Sequence, residues 1–482
     1  MQKKFITNLA IVLSLNLLIK PFWILGIDRQ VQNAVGLNHY GLYYSIFMFS
    51  SLLNILLDLG IINFNNKNIA QNNHLLSKHF ASIAMLKFLL AGLFAIVTLL
   101  VGLMVRYDFI EMKLLIMIVF NQILLSFIMY LRSNLAGLHL FKTDSVISVL
   151  DRLIMIVICE FLLVTHKEPG SFDILWFIYA QTVGYILTVI ITLVIVLDKA
   201  KVRKLKWRWP FFMMILKKSY PFAVLVLLMT FYTSISGPMI ERMLSGDEGA
   251  RQSGIYASAN RLLDASNMIA FLFAGLLLPM FARMIKLKDS VEQLVSLSFS
   301  LLVIPAIVVA SCSYFYSADI MSLLYQGQHV EESASVFRIL MCCFVPIASA
   351  YIFGTLLTAN GNLKQLNIMA STGMVLNIVI NLTLIPKLGA LGAAIAGIIT
   401  QFLMAFAQVF MVQAVFKFHV NYRLIASLIV FTAAIIGINY FISPMHHNWI
   451  LKIVITAGIS FALAFALRLI SVRNIYRIFK YG

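Results

Sequence analysis

The sequence predicts an all-α integral membrane protein with about fourteen transmembrane helices, and three observations predict it. Of 482 residues, 61% are hydrophobic and only 12% charged, with a mean hydropathy of +0.93; a soluble domain carries about 25% charged residues. The apolar stretches run for the roughly 20 residues that a helix needs to cross a bilayer. Lipid cannot hydrogen-bond a backbone, which leaves helices or closed barrels, and runs this long select helices.

In chain order, the first span covers 5–27, behind a basic start, Lys3-Lys4, and with no small-residue cleavage site before Pro21 and Trp23. Span 2 (41–63) opens on Tyr40-Gly41 and carries Asp58; spans 3 (81–105) and 4 (113–131) flank the acids Asp108 and Glu111. Spans 5 (144–165) and 6 (172–197) lead to a basic segment, 198–218, in which KAKVRKLKWRW precedes Pro210. Spans 7 to 12 fall at 219–240, 255–281, 290–312, 333–358, 365–385 and 388–415, and the last two at 423–442 and 449–470.

Charge orients these spans. With the N-terminus inside, the inner segments hold about two thirds of the 37 Lys and Arg, while acids such as Asp28, Asp108, Glu241 and Glu332 gather on the outer loops. Both termini are therefore expected in the cytoplasm. This topology accounts for the net charge of +18 without nucleic acid, for which no basic, aromatic-rich soluble module exists. The linker is expected to bind lipid headgroups. Cys159, Cys312, Cys342 and Cys343 lie in apolar stretches with no metal-ligand spacing, so no metal or cofactor is expected.

A shift of 213 residues sets Asp28-Arg29 on Glu241-Arg242 and Gly41-Leu42-Tyr43 on Gly254-Ile255-Tyr256. A weaker echo at 224 relates Phe120 to Phe344 and Gly137 to Gly361. The expected organisation is an N-lobe of six spans (1–197), a basic cytoplasmic linker (198–218), a C-lobe of six spans (219–415), and two additional C-terminal spans with a tail (416–482). Parallel repeats of this kind place a substrate path between halves that rock to give alternating access.

Charges buried in a bilayer cost about 2.5–3.5 kcal/mol each and normally face an interior path. Lys20, Arg29, Arg242 and Arg261 occupy corresponding places in the two halves and are the candidates for binding an anionic cargo, phosphate or pyrophosphate suiting their charge-assisted hydrogen bonds. Arg29 and Arg242 read first as interfacial anchors or as part of an outer gate with Asp28 and Glu241, and second as cargo contacts. Arg261 and Asp264 are three apart on one helix face and can pair, and Asp264 joins Asp28 and Glu241 among the candidates for ion coupling or gating. Asp58 has no cation at helical spacing, which makes it the candidate for coupling to a proton or sodium gradient. Lys87 lies near a span end, from which it can snorkel.

Tyr40-Gly41-Leu42-Tyr43, Leu57-Asp58-Leu59-Gly60, Asn68-Ile69-Ala70, Ser253-Gly254-Ile255-Tyr256-Ala257 and the small-residue run from Leu388 to Ala396 together resemble the multidrug/oligosaccharidyl-lipid/polysaccharide exporter superfamily, in its polysaccharide transport branch. The resemblance implies two six-helix lobes around a V-shaped cavity. It also implies transfer of an undecaprenyl-pyrophosphate-linked glycan, such as an O-antigen repeat unit for lipopolysaccharide, across a bacterial inner membrane, with polysaccharide polymerase or assembly proteins as partners. A peptidoglycan lipid-precursor flippase differs mainly in the glycan. A multidrug or cation antiporter calls for an acidic, aromatic cavity. A membrane glycosyltransferase or polymerase calls for a catalytic outer loop, yet the outer loops are short and carry no nucleophile or metal motif.

Overall fold

The computed structural model describes residues 15, 16, 18–62, 65, 69, 75–138, 140–166, 172–200, 209–325, 329–419, 421–445 and 448–469. The start of the first span, Asn68 and Ala70, linker residues 201–208 and the tail from 470 lie outside the described residues. Among those described there is no strand. Among the described residues nine helices are long and apolar enough to cross a membrane, ten with one bent pair, which is consistent with the fourteen spans expected. The chain packs as two compact units, Met1–Gly254 and Ile255–Gly482.

In the first unit, helix runs through 18–22 into a single π-helical turn, Trp23–Asp28, and continues as α1, Arg29–Leu52. The two spans expected here are joined without an extended loop. Gly36 interrupts α1 at φ 81° and ψ 168°, an extended left-sided conformation open only to glycine. The second span was expected to stay regular to 63. Instead α1 stops at Leu52, a 3₁₀ turn covers Asn54–Leu57, and Leu59 (φ 46°) and Gly60 (φ 82°) turn the chain.

Then come α2 (Leu75–Met104), α3 (Phe109–Gly137), α4 (Phe141–Thr165) and α5 (Ile174–Ala200). A buried cluster that includes Phe80, Ile83, Tyr130, Leu135 and Val196 unites α2, α3 and α5. The start of α3 is fixed by a capping box: Asp108 Oδ1 accepts from the Glu111 N–H, and Glu111 Oε2 accepts from the Asp108 N–H, both at 2.7 Å. Helices α6 (Trp209–Ser234) and α7 (Ser236–Met243) meet at a 45° bend. Pro238 has no N–H for the Ser234 carbonyl, which is the physical reason for a break there. Both pack on α1 within the first unit.

The 42-residue α8 (Gly246–Leu287) contains the boundary between units. The second unit continues with α9 (Glu292–Phe315), α10 (Ser317–Leu324), α11 (Val330–Cys342), α12 (Phe344–Ala359), α13 (Leu363–Phe416), α14 (Tyr422–Ile442) and α15 (Trp449–Ala466). The 54 residues of α13 exceed two bilayer crossings at about 1.5 Å per residue. Gly389, at φ 56° and ψ −133°, divides them where two spans were expected to meet. Beyond it Ala390, Ala393, Ala394 and Ala396 are fully buried, so the small-residue run packs helices closely. The trailing helices dock through a polar seam: Asn439 Nδ2 on α14 donates to Ser311 Oγ of α9, and Thr456 Oγ1 of α15 donates to Asn439 Oδ1.

Candidate functional site

Glu241 and Arg242 sit on α7, turned out of line with α6 by the bend. Arg242 Nη2 donates to Glu111 Oε2 at 2.6 Å, and its Nε stands 3.1 Å from Glu241 Oε2. The guanidinium lies 4.3 Å from the Tyr107 ring centre, a cation–π distance. The capping box that starts α3 thus also aims Glu111 at α7. Burial of Tyr107 in the α2–α3 turn raises its phenol above the ordinary range, so it stays neutral. Two carboxylates share one guanidinium in this clasp.

Beside it, α1 crosses the first turns of α8 at glycine. A Cβ on Gly41 would overlap the Ala250 carbonyl oxygen, and one on Gly254 would overlap that of Leu37. Leu37 and Ala250 are themselves related by the 213-residue shift, so the crossing is reciprocal: each repeat's glycine meets the other's carbonyl. Ser253 Oγ donates to the Gly41 carbonyl and Gln32 Nε2 to the Gly254 carbonyl, both at 3.1 Å. Asp28 is buried and accepts from the Tyr40 hydroxyl at 2.7 Å. Arg29, half-buried, has an enclosed Nε without a hydrogen-bond partner. The acid–Arg pairs are therefore equivalent in sequence but not in their contacts.

Lys20, half-buried on the helix before the π turn, lies within coulombic range of Arg132, Arg152 and Asp151. Arg152 stands 3.7 Å from Asp151 Oδ2, with the Trp23 and Tyr185 ring centres at 5.3 and 5.9 Å. Arg132 Nε donates to Asp144 Oδ1 at 2.8 Å. Among the described residues, three cations and two acids share this region, so it keeps a positive excess inside the first unit.

Asp58 is not the lone carboxylate its sequence spacing suggested. Lys87, from α2, reaches its Oδ1 at 3.5 Å and the Leu57 carbonyl at 2.6 Å. Nor does Lys87 snorkel, being 1% exposed. Its role is to meet the carbonyl that the early end of α1 leaves open.

Arg261 and Asp264 belong to the second unit, where Asp264 accepts from Asn260 Nδ2 at 3.2 Å. Of the four basic candidates, Lys20, Arg29 and Arg242 fall in the first unit, each in a different setting. The partners missed from sequence were Glu111, Lys87, Arg132 and Asp144. Glu111 was within reach, because Asp108-Phe109-Ile110-Glu111 before an apolar run has the capping-box spacing. Among the described residues no group of three metal-ligating side chains assembles.

Comparison with known proteins adds relatives to this geometry. The family described as "Polysaccharide biosynthesis protein" matches residues 11–285. Lipid III flippases of Escherichia coli (strain K12) and Shigella flexneri are 28% identical over 173 residues. That is 35% of this chain and 41% of theirs, so the match spans less than half of those relatives. Among solved structures, the Lipid II flippase MurJ in an inward closed conformation superposes with a TM-score of 0.71 at 14% identity, covering 94% of this chain and 98% of that one. An inward-facing multidrug resistance MATE family transporter gives 0.63 at 15%, covering 86% and 100%. These two likenesses establish the fold.

Proposed function

The chain belongs to the polysaccharide biosynthesis protein family, within the multidrug/oligosaccharidyl-lipid/polysaccharide exporter superfamily, and from that premise we propose that it is a flippase for a lipid-linked glycan. Its cargo is an undecaprenyl-pyrophosphate-linked oligosaccharide, the repeat unit of an O-antigen, capsule or exopolysaccharide. It carries this cargo from the cytoplasmic to the periplasmic leaflet of a bacterial inner membrane and makes or breaks no covalent bond.

The observation that carries the reading is the reciprocal glycine crossing with its Arg242 clasp. Charge patterning assigns this end of the helices to the periplasmic side. Helices in backbone contact close that side to a bulky headgroup, and their separation opens it. The positive excess around Lys20 and Arg152 in the first unit suits a pyrophosphate and disfavours an organic cation as cargo; Arg29, and Arg261 within the second unit, are further candidates. Coupling to a proton or sodium gradient is part of the proposal. Glu111 and Glu241 share one guanidinium, so a proton or cation taken up there relieves their repulsion as the clasp opens.

A peptidoglycan lipid precursor is the second reading, with the same mechanism and a different glycan. Deletion of the gene in its source bacterium, followed by identification of the lipid-linked glycan retained on the cytoplasmic leaflet, separates the two. Retention of a polysaccharide repeat unit is expected; retention of the peptidoglycan precursor favours the second reading, and retention of neither removes both.

A further inference from the structure

Between the end of α1, the middle of α3 and α6 lies a cavity of about 330 Å³, within the first unit and apart from the Arg242 clasp. Its polar wall is Ser51, Asn54, Asp58, Gln122, Ser126 and Thr230; the rest is mostly aliphatic. We propose that this cavity is a subsite for a sugar residue of the cargo's headgroup. The inference rests on the lipid-linked glycan reading above and deepens it.

Charge decides first what the cavity does not take. The Lys87 ammonium has three N–H bonds, directed at the Leu57 carbonyl and Ser126 Oγ at 2.6 Å each and at Asp58 Oδ1 at 3.5 Å. It is 1% exposed, whereas its counter-ion Asp58 is 26% exposed. The pair is neutral, but only its carboxylate shows. A phosphate would therefore meet an acid here and find no free cation, unlike at the Lys20 and Arg152 cluster.

The unused hydrogen-bonding capacity is that of acceptors. Asp58 Oδ1 accepts from the Ile62 N–H at 3.1 Å and from Lys87, while among the described residues Oδ2 accepts from the Gly60 N–H alone, at 3.2 Å, and has a lone pair to offer. Gln122 is 5% exposed; its Nε2 donates to Ser51 Oγ at 3.2 Å, and its Oε1 is buried without a partner. A buried acceptor left open costs free energy unless something donates to it.

A ligand that fits brings several neutral hydroxyl donors and C–H faces for the aliphatic wall, which is the chemistry of a pyranose ring. A bare metal ion instead draws its oxygens in to about 2.0–2.6 Å and would leave most of this volume empty. The turn Asp58–Gly60 lies at the end that the charge pattern assigns to the cytoplasm, where the headgroup enters.

The test uses the full-length purified protein in detergent and three probes. Methyl glycosides of glucose, galactose, rhamnose and N-acetylglucosamine are examined by saturation-transfer NMR, with Gln122→Met and Asn54→Ala as variants. Glycan-free undecaprenyl pyrophosphate is titrated by tryptophan fluorescence, and sodium chloride is compared with choline chloride by thermal unfolding. At least one glycoside is expected to bind. Each variant should weaken it by about tenfold, the loss of one hydrogen bond from the cavity wall, with carrier binding and melting temperature unchanged. Two variants on different elements keep the test valid where one fails to fold.

Absence of glycoside binding, or binding that neither variant alters, overturns the subsite. So does sodium-specific stabilisation abolished by Gln122→Met, which makes the cavity a cation site. Loss of carrier binding with glycoside binding intact instead strikes the lipid-linked cargo reading and leaves the cavity's chemistry standing.

Discussion

At the scale of single residues, the few charges in an apolar chain decide most of what it can do, because each must find a partner or a ligand. Lys87 finds both a carbonyl and Asp58. Lys87→Met leaves the carboxylate without its cation, and removing one partner of a buried pair costs about 3–5 kcal/mol. The exposure of Asp58 puts the expected loss at the lower end, read as a fall in melting temperature in detergent. Adding Asp58→Asn to that variant should recover part of it. Lys20 and Arg152 stand in a cluster with more cations than acids, and Arg261 is their candidate counterpart in the second unit. Lys20→Ala, Arg152→Ala and Arg261→Ala are each expected to stop glycan export while insertion, followed by membrane fractionation and immunoblotting, stays normal. Normal export by all three would remove the cationic path. The sequence identified Lys20 and Asp58 by their depth in apolar runs. It could not reveal Lys87 as the partner, because 29 residues separate the two and only the early end of α1 brings them together.

At the scale of elements, the helix crossing and its clasp carry the conformational argument. Gly41→Val or Gly254→Val forces α1 and α8 apart, since the added atoms meet backbone carbonyls that cannot move aside. Such variants should insert yet expose cysteines placed nearby to a membrane-impermeant thiol reagent added from outside. Glu111→Gln weakens a charge-assisted hydrogen bond worth about 1.5–3 kcal/mol, so labelling should rise roughly tenfold or more. Labelling no faster than in the parent protein would show that the clasp does not hold this end closed. Element type and approximate position were readable from hydropathy alone, and Gly389 divides α13 where two spans were expected to meet. The break at 53–60 was not readable, because Asn54–Gly60 is apolar enough to pass as continuous helix. The Leu57 carbonyl that the break leaves open is met by Lys87 from α2, a contact hydropathy cannot show.

At the scale of the whole molecule, the 213-residue repeat read from Asp28-Arg29 and Gly41 has a structural counterpart in the Leu37–Gly254 and Ala250–Gly41 contacts. Glycine is required at both close backbone approaches, which is why those two positions carry a legible signal in the sequence. The non-equivalence of Arg29 and Arg242 was not legible, since it depends on Glu111 from a third helix. From positive-inside patterning we propose that both termini are cytoplasmic; alkaline phosphatase fused after Gly482 should then be inactive and a fluorescent protein at the same point should glow. The central claim, passage of a lipid-linked glycan through a cycle that opens the clasp, is tested most directly in proteoliposomes. The source bacterium's own radiolabelled undecaprenyl-pyrophosphate oligosaccharide is placed in one leaflet, and its access to an impermeant glycosidase is followed. The account predicts protein-dependent transfer, abolished when cysteines introduced on α3 and α7 beside Glu111 and Arg242, with both of those residues kept and the native cysteines removed, are bridged by a short thiol cross-linker, and restored by cleaving it. Transfer no faster than in protein-free vesicles, or transfer indifferent to the bridge, would contradict it.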